Sequence, residues 1–182
     1  MSSVKVVAIS GASGAGKTTL VKQLANAFNC PFLLFDDYID KESYPQNMKK
    51  WFNDGANVSL IETPRFVSAL QQVISVNMTP YVFIEEPFGK NRETMSSLID
   101  YVVLLDLPLP LCLSRIIARH TAPLNLNSTD SISCYLDKYE DHFRDIYRET
   151  VRQVSMNCDL IINEKTIDIE PVKVISHWLV SN

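Results

Sequence analysis

The apolar run Val4-Lys5-Val6-Val7-Ala8-Ile9 leads almost directly into Gly11-Ala12-Ser13-Gly14-Ala15-Gly16-Lys17-Thr18, and few folds can accommodate that juncture. A β-branched, nearly all-apolar segment reads as a central parallel strand covered on both faces. Gly11, Gly14 and Gly16 fall within six positions of a chain that has only 5 glycines, so the loop asks for a backbone path that other residues avoid. Beyond Lys17, the residues Leu20, Val21, Leu24, Ala27 and Phe28 recur at helical spacing. Strand, glycine-rich loop and helix together are the context that G-x-x-x-x-G-K-[ST] requires. Its N–H groups converge on phosphate oxygens, and the positive end of the helix dipole adds to them. Gly11, Ala12, Ser13, Gly14, Ala15, Gly16, Lys17, Thr18 and Thr19 are therefore the expected nucleotide-binding residues. Lys17 would reach the β- and γ-phosphates, and the Thr18 hydroxyl would meet the Mg²⁺ that bridges them.

The rest of the chain repeats the strand-then-helix rhythm. Pro31 stops the first helix before Phe32-Leu33-Leu34-Phe35, a second candidate strand with Asp36, Asp37 and Tyr38 at its end. Pro64 opens a helix with Phe66, Val67, Leu70, Val73 and Ile74 on one face. Further strands are Tyr81 to Ile84, ending in Glu85-Glu86, then Tyr101 to Leu105, ending in Asp106, and finally Cys158 to Ile162. A short helix is expected near Arg92 to Leu98, a long one over Tyr135 to Val154, and a packing helix over Ile169 to Val180. Near-continuous apolar strands alternating with helices predict an α/β P-loop NTPase fold, a three-layer sandwich of a five-stranded parallel sheet with helices on both faces, its ligand at the carboxyl ends of the strands.

Composition narrows the function. With 182 residues, 46% of them hydrophobic, the chain suits one domain over 1–182. Its 17 Lys plus Arg against 21 Asp plus Glu give a net charge of −4, which offers no basic field for nucleic acid. Cys30, Cys112, Cys134 and Cys158 lack the spacing of a zinc site or a disulfide framework. The N-terminal apolar stretch is too short for a signal-peptide core, and nowhere do about 18 apolar residues run together, so no membrane partner and a cytoplasmic location are expected. A GTPase would need Asp-x-x-Gly and Asn-Lys-x-Asp, and neither is present. Oligomeric state is not legible.

Gly11 to Thr18, Phe35-Asp36-Asp37-Tyr38, Phe83-Ile84-Glu85, the stretch Leu113 to Arg119 and the final Asp159-Leu160-Ile161-Ile162-Asn163 resemble the uridine kinase-like group of P-loop kinases. That resemblance covers most of the chain. It implies an ATP- and Mg²⁺-dependent kinase that phosphorylates a hydroxyl of a small, nucleoside-like molecule, with an acceptor region over 38–80 and an arginine-bearing lid over 113–131. Asp36 would accept the hydroxyl proton, with Asp37 as its competitor. Glu85 would approach Mg²⁺, although Asp106 also ends an apolar strand, and Glu86-Pro87 replaces the glycine common in that group. Arg115 and Arg119 lie four apart on one helical face, suited to covering the phosphates.

Other features read as structure or remain open. The aromatics of the Tyr135 to Val154 helix form one core-facing stripe. Asp141/Arg144, Asp145/Arg148 and Glu149/Arg152 suit solvated pairs rather than a nucleic-acid patch. His120, His142 and His177 read as surface or structural. Tyr38, Tyr44, Trp51 and Phe52 fit either a stacking surface or the core. Lys49, Lys50 and Arg65 would contact an acceptor phosphate if the substrate were a monophosphate. A nucleotide or cofactor-precursor kinase and a non-catalytic ATP-binding regulator are the alternatives.

Overall fold

The computed structural model describes residues 4–40, 42–76, 78–121, 128–167 and 170–182. In chain order the elements are β1 (Lys5–Gly11), α1 (Lys17–Phe28), β2 (Phe32–Leu33), α2 (Met48–Asn53), α3 (Pro64–Val76), β3 (Tyr81–Glu85), α4 (Glu93–Ser96), β4 (Tyr101–Asp106), α5 (Leu109–Thr121), α6 (Ser128–Lys138), α7 (Arg144–Ser155), β5 (Leu160–Asn163), α8 (Glu164–Ile167) and α9 (Pro171–Ser181). The strands form one five-stranded sheet in the order β2-β3-β1-β4-β5, and every pairing is parallel.

The two-residue period of a strand explains the layers. Val6, Ala8, Val82, Ile84, Val102 and Leu104 turn to one face, where Trp51, Phe66, Leu70, Met95, Ile146 and Val154 cover them. Val7, Ile9, Phe83, Val103, Leu105 and Ile162 turn to the other, under Leu20, Leu24, Cys112, Ile175 and Leu179. Helices α2, α3, α4 and α7 thus pack on the first face and α1, α5 and α9 on the second. β1 is central, and the chain crosses from β3 on one side of it to β4 on the other. That puts a topological switch point, and with it the natural crevice for a ligand, at the carboxyl end of β1.

Three expectations need correction. The apolar run Phe32 to Phe35 predicts a four-residue strand. β2 holds only Phe32–Leu33 and pairs with β3 at the sheet edge, because Phe35–Asp37 coils into a 3₁₀ turn. The expected single helix over Tyr135 to Val154 contains a π-helical segment, Tyr139–Phe143, between α6 and α7. The wider turn shifts the phase of the apolar stripe, leaving Leu136 exposed while Ile146 and Val154 stay buried. The expected Asp141/Arg144 pair is absent: Asp141 instead meets Lys49 at 2.5 Å and His142 at 2.9 Å, and Arg144 leans toward Asp145. Asp145/Arg148 and Glu149/Arg152 pair as expected. Of the expected lid over 113–131, residues 122–127 lie outside the described residues. Among the described residues no helix is long and apolar enough to cross a membrane.

Candidate active site

A cleft of about 500 Å³ opens where the switch point predicts. Its floor is Gly11, Ala12, Ser13, Gly14, Gly16, Lys17 and Thr18, and Thr19 also borders it; Ala15 is turned into the core beneath the loop instead. Gly14 has φ of +80°, and a side chain there would run into the Cys112 carbonyl of α5, so the loop reaches this close approach only because Gly14 has no Cβ. Lys17 opens α1 and is 8% exposed; its Nζ donates to the Ala12 carbonyl at 3.0 Å and lies 3.7 Å from Glu85 Oε1. Burial pushes this ammonium below its ordinary value, against the pull of Glu85 and Asp36. A phosphate entering the cleft would favour its charged form again.

Thr18 Oγ1 donates to Glu85 Oε2 at 2.7 Å. Glu85 ends β3 beside β1 and is 4% exposed, whereas Asp106 ends β4 in solvent and does not border the cleft. Hydroxyl and carboxylate side by side are the hard oxygen donors that Mg²⁺ takes, so the residues present fit that ion. Asp36 and Asp37 sit on the 3₁₀ turn after β2; Asp36 borders the cleft and Asp37 does not. Two carboxylates, Asp36 and Glu85, therefore face the space in front of Lys17.

Helix α5 supplies cations. Arg115 Nη1 donates to the carbonyls of Ala15 at 3.1 Å and Gly14 at 3.5 Å, and Arg119, one turn on, borders the same cleft. His120 stacks on Tyr135 of α6, with ring centroids 6.2 Å apart.

The wall opposite the phosphate loop is aromatic and apolar. Phe35, Tyr44, Met48, Trp51, Ile61 and Phe88 form one side of it. Burial pushes the Tyr44 hydroxyl well above its ordinary range. Phe143, Ile146, Tyr147 and Thr150 form the other side. The Tyr147 hydroxyl lies 3.2 Å from that of Tyr135 and interacts with Ser13 of the phosphate loop. Of the expected acceptor region, Tyr44 and Trp51 reach the cleft, whereas Tyr38 and Phe52 pack around the core.

The expectation that the aromatics of the long helix are core holds for Phe143 and Tyr147, which pack against the first core face, but both also border the cleft. The signal was there in a stripe wider than packing needs, with hydroxyl-bearing rings where aliphatic residues would suffice. Lys49 and Lys50 are turned outward onto Asp141 and Asp54, and Arg65 borders a separate shallow hollow, so none of them meets the cleft. The monophosphate alternative loses its residues accordingly.

A glycine-rich phosphate loop at the carboxyl end of the central strand, with Lys17, two carboxylates and the arginines of α5 around one cleft, marks the P-loop kinase class. A family model described as Shikimate kinase matches residues 13–159, and the chain belongs to that family. The uridine kinase-like group that the motifs resemble is therefore corrected to the shikimate kinase family; the two share the P-loop kinase class. It is an ATP-dependent phosphotransferase with an alcohol acceptor. Among solved structures, shikimate kinase from Acinetobacter baumannii in complex with shikimate aligns over 98% of this chain and 94% of its own, at 19% identity and a TM-score of 0.50. Shikimate kinase from Aquifex aeolicus aligns over 97% of each chain at 20% identity, with a TM-score of 0.52. TT1252 from Thermus thermophilus aligns over 99% and 98% at 17% identity, with a TM-score of 0.56. At such identities the likeness is one of fold. No match was found among curated proteins.

Proposed function

We propose that this chain transfers the γ-phosphoryl group of Mg-ATP to a hydroxyl of an uncharged, ring-bearing, nucleoside-like molecule. The observation that carries this reading is the wall of the cleft away from the phosphate loop: apart from Met48 and Thr150 its residues are aromatic or aliphatic, none is charged, and the cations bordering the cleft, Lys17, Arg115 and Arg119, belong to the phosphate loop and α5. Rings stack on such a wall, whereas a carboxylate there would be left without a partner. Shikimate, the acceptor in the family's name, carries a carboxylate. It is the second reading, favoured by the family match over residues 13–159, and it would require Arg115 or Arg119 to turn away from the phosphates.

The chemistry follows from positioning. Loop amides, the N-terminus of α1 and Lys17 hold the β- and γ-phosphates. Thr18 and Glu85 would hold Mg²⁺, which when bound offsets the charge of the bridging phosphate oxygens. Asp36 accepts the proton of the attacking hydroxyl and holds that hydroxyl in line. Arg115 and Arg119 stabilise charge that grows on the transferred group. The domain plan that goes with it is one kinase domain over 1–182, with an acceptor region over 38–80 and a lid over 113–131.

The test is a panel of acceptors with Mg-ATP: nucleosides, nicotinamide riboside, pantothenate, nucleoside monophosphates and shikimate, read as ADP release. Turnover of an uncharged ring acceptor supports the proposal, and turnover only of a cationic or anionic acceptor of the panel contradicts it. Turnover of shikimate alone replaces it by the second reading, and turnover of none, with ATP still bound, leaves a nucleotide-binding regulator.

A further inference from the structure

Behind the acceptor wall lies an ion pair that the reaction as derived above does not use. Glu86 and Arg92 are both 0% exposed at their side chains. Arg92 Nε donates to Glu86 Oε1 at 3.2 Å, and Nη2 donates to Glu86 Oε2. Nη1 reaches further, to the Ile61 carbonyl at 2.9 Å and Thr63 Oγ1 at 2.7 Å. The guanidinium also lies 5.3 Å from the ring centroid of Phe35 and 5.8 Å from that of Phe88. Glu86 is fixed in turn: its Oε1 accepts from the Phe88 N–H at 3.2 Å, its carbonyl from Ser10 Oγ at 2.6 Å, and its own N–H donates to the Ile9 carbonyl at 3.1 Å.

One cation therefore joins three segments that meet nowhere else in sequence. These are the turn that starts at Phe35 and carries Asp36, the stretch Ile61 to Thr63 ahead of α3, and the bend after β3. Phe35, Ile61 and Phe88 border the cleft, while Glu86 and Arg92 do not. Desolvating two charges is costly, and apolar residues of equal volume stabilise such a site as well or better. Stability alone does not account for the pair.

We propose that Glu86 and Arg92 are positioning residues: together they set the acceptor wall and the turn that presents Asp36, without touching the reactants. The inference rests on the reading of the cleft given above. Planarity and five donors matter here, because a lysine ammonium cannot bridge both Glu86 oxygens and reach Ile61 and Thr63 as well.

The test uses the full chain in two variants. Glu86→Leu/Arg92→Met removes both charges together and leaves no unpaired ion, and Arg92→Lys keeps the charge but loses the fork. Three quantities are measured: Mg-ATP affinity by titration, backbone hydrogen exchange resolved by residue, and kinetics with whichever acceptor of the panel the parent chain phosphorylates. The double variant is expected to fold and to bind Mg-ATP within about twofold of the parent, with kcat/KM for the acceptor down about 100-fold, as a misplacement near 1 Å produces. Exchange at the Asp37 and Tyr38 amides, which bond to Leu34 and Phe35 carbonyls, is expected to rise about tenfold, with β1 and α1 unchanged. Arg92→Lys falls between, and should the double variant not fold, Arg92→Lys decides by the same readouts. Acceptor kcat/KM within threefold of the parent, or ATP affinity falling in step with it, overturns the proposal. A parent chain inert toward every acceptor overturns the proposed function instead. The exchange comparison then still decides for or against the pair: faster exchange confined to the amides of residues 35–38 and Phe88 sustains it, and unchanged exchange overturns it.

Discussion

Substituting Gly14 by Ala is the sharpest perturbation of the phosphate loop, because two separate costs can be read from the geometry. The first is conformational: φ is +80°, where an L side chain costs about 1–2 kcal/mol. The second is steric. An added Cβ would lie 2.3 Å from the Cys112 carbonyl oxygen, 2.9 Å from its carbon and 3.0 Å from Ile116 Cγ1. Two of these three atoms are backbone, so no rotamer change relieves the clash, and the loop and α5 must separate. Overpacking of that kind costs about 1–3 kcal/mol. Together the two costs come to about 2–5 kcal/mol, which for a domain of this size lowers Tm by about 4–20 °C. Separation also draws Arg115 off the Ala15 and Gly14 carbonyls, so ATP affinity should fall about tenfold or more.

Gly55 supplies the control. Its φ is +108°, but nothing lies within 4 Å of an added Cβ, so Gly55→Ala should lose about 2–8 °C and bind ATP normally. The assay is thermal unfolding of both variants with and without Mg-ATP, paired with titration calorimetry. Equal Tm shifts together with unchanged ATP affinity in Gly14→Ala would refute the close-approach argument.

Asp36→Asn keeps shape but removes the proton acceptor, so kcat should drop about 10²–10⁴-fold while ATP affinity stays within about twofold; steady-state kinetics and titration separate the two. Thr18→Val deletes a hydroxyl beside Glu85, and the Mg²⁺ concentration giving half-maximal rate should rise, which a metal titration at fixed ATP would show. Glu149 is held at about 2 by its hydrogen bonds from Arg152, below the ordinary 4.5. A depressed carboxyl stabilises the fold above its unfolded value, and the benefit fades as pH falls from about 4.5 towards 2. Arg152→Ala should therefore lower Tm slightly at pH 7, by no more than about 2 °C for so exposed a pair, and not at all near pH 2, as scans across pH would reveal.

How much of this was legible depended on whether a signal is contiguous. The junction of β1, loop and α1 could be read because strand, glycines, lysine and helix are adjacent and no other fold uses them together. Glu85 was legible as an acid ending an apolar strand, but only coordinates set it apart from Asp106, since both strands end alike in sequence and both flank β1, while Glu85 is buried against the cleft and Asp106 lies in solvent. Asp36 and Asp37 were legible as acids closing an apolar segment, but not which of them borders the cleft: a 3₁₀ turn rather than an extended strand puts Asp36 on it and leaves Asp37 off it. The Tyr139–Phe143 segment could not be read, because a single π turn leaves no periodic trace yet moves Phe143 and Tyr147 onto the cleft. Nor could Glu86 and Arg92, since charged residues are expected at the surface and their burial depends on partners as far away as Ile61. The family itself came from comparison, because short motifs shared across P-loop kinases do not separate its branches.

The measurement closest to the central claim is ³¹P NMR of the products formed from Mg-ATP and an equimolar mixture of nucleosides and shikimate, with Lys17→Ala and Asp36→Asn run in parallel. The account predicts a phosphate monoester on an uncharged acceptor and none from either variant. A monoester on shikimate alone, or one formed equally well without Asp36, would contradict it.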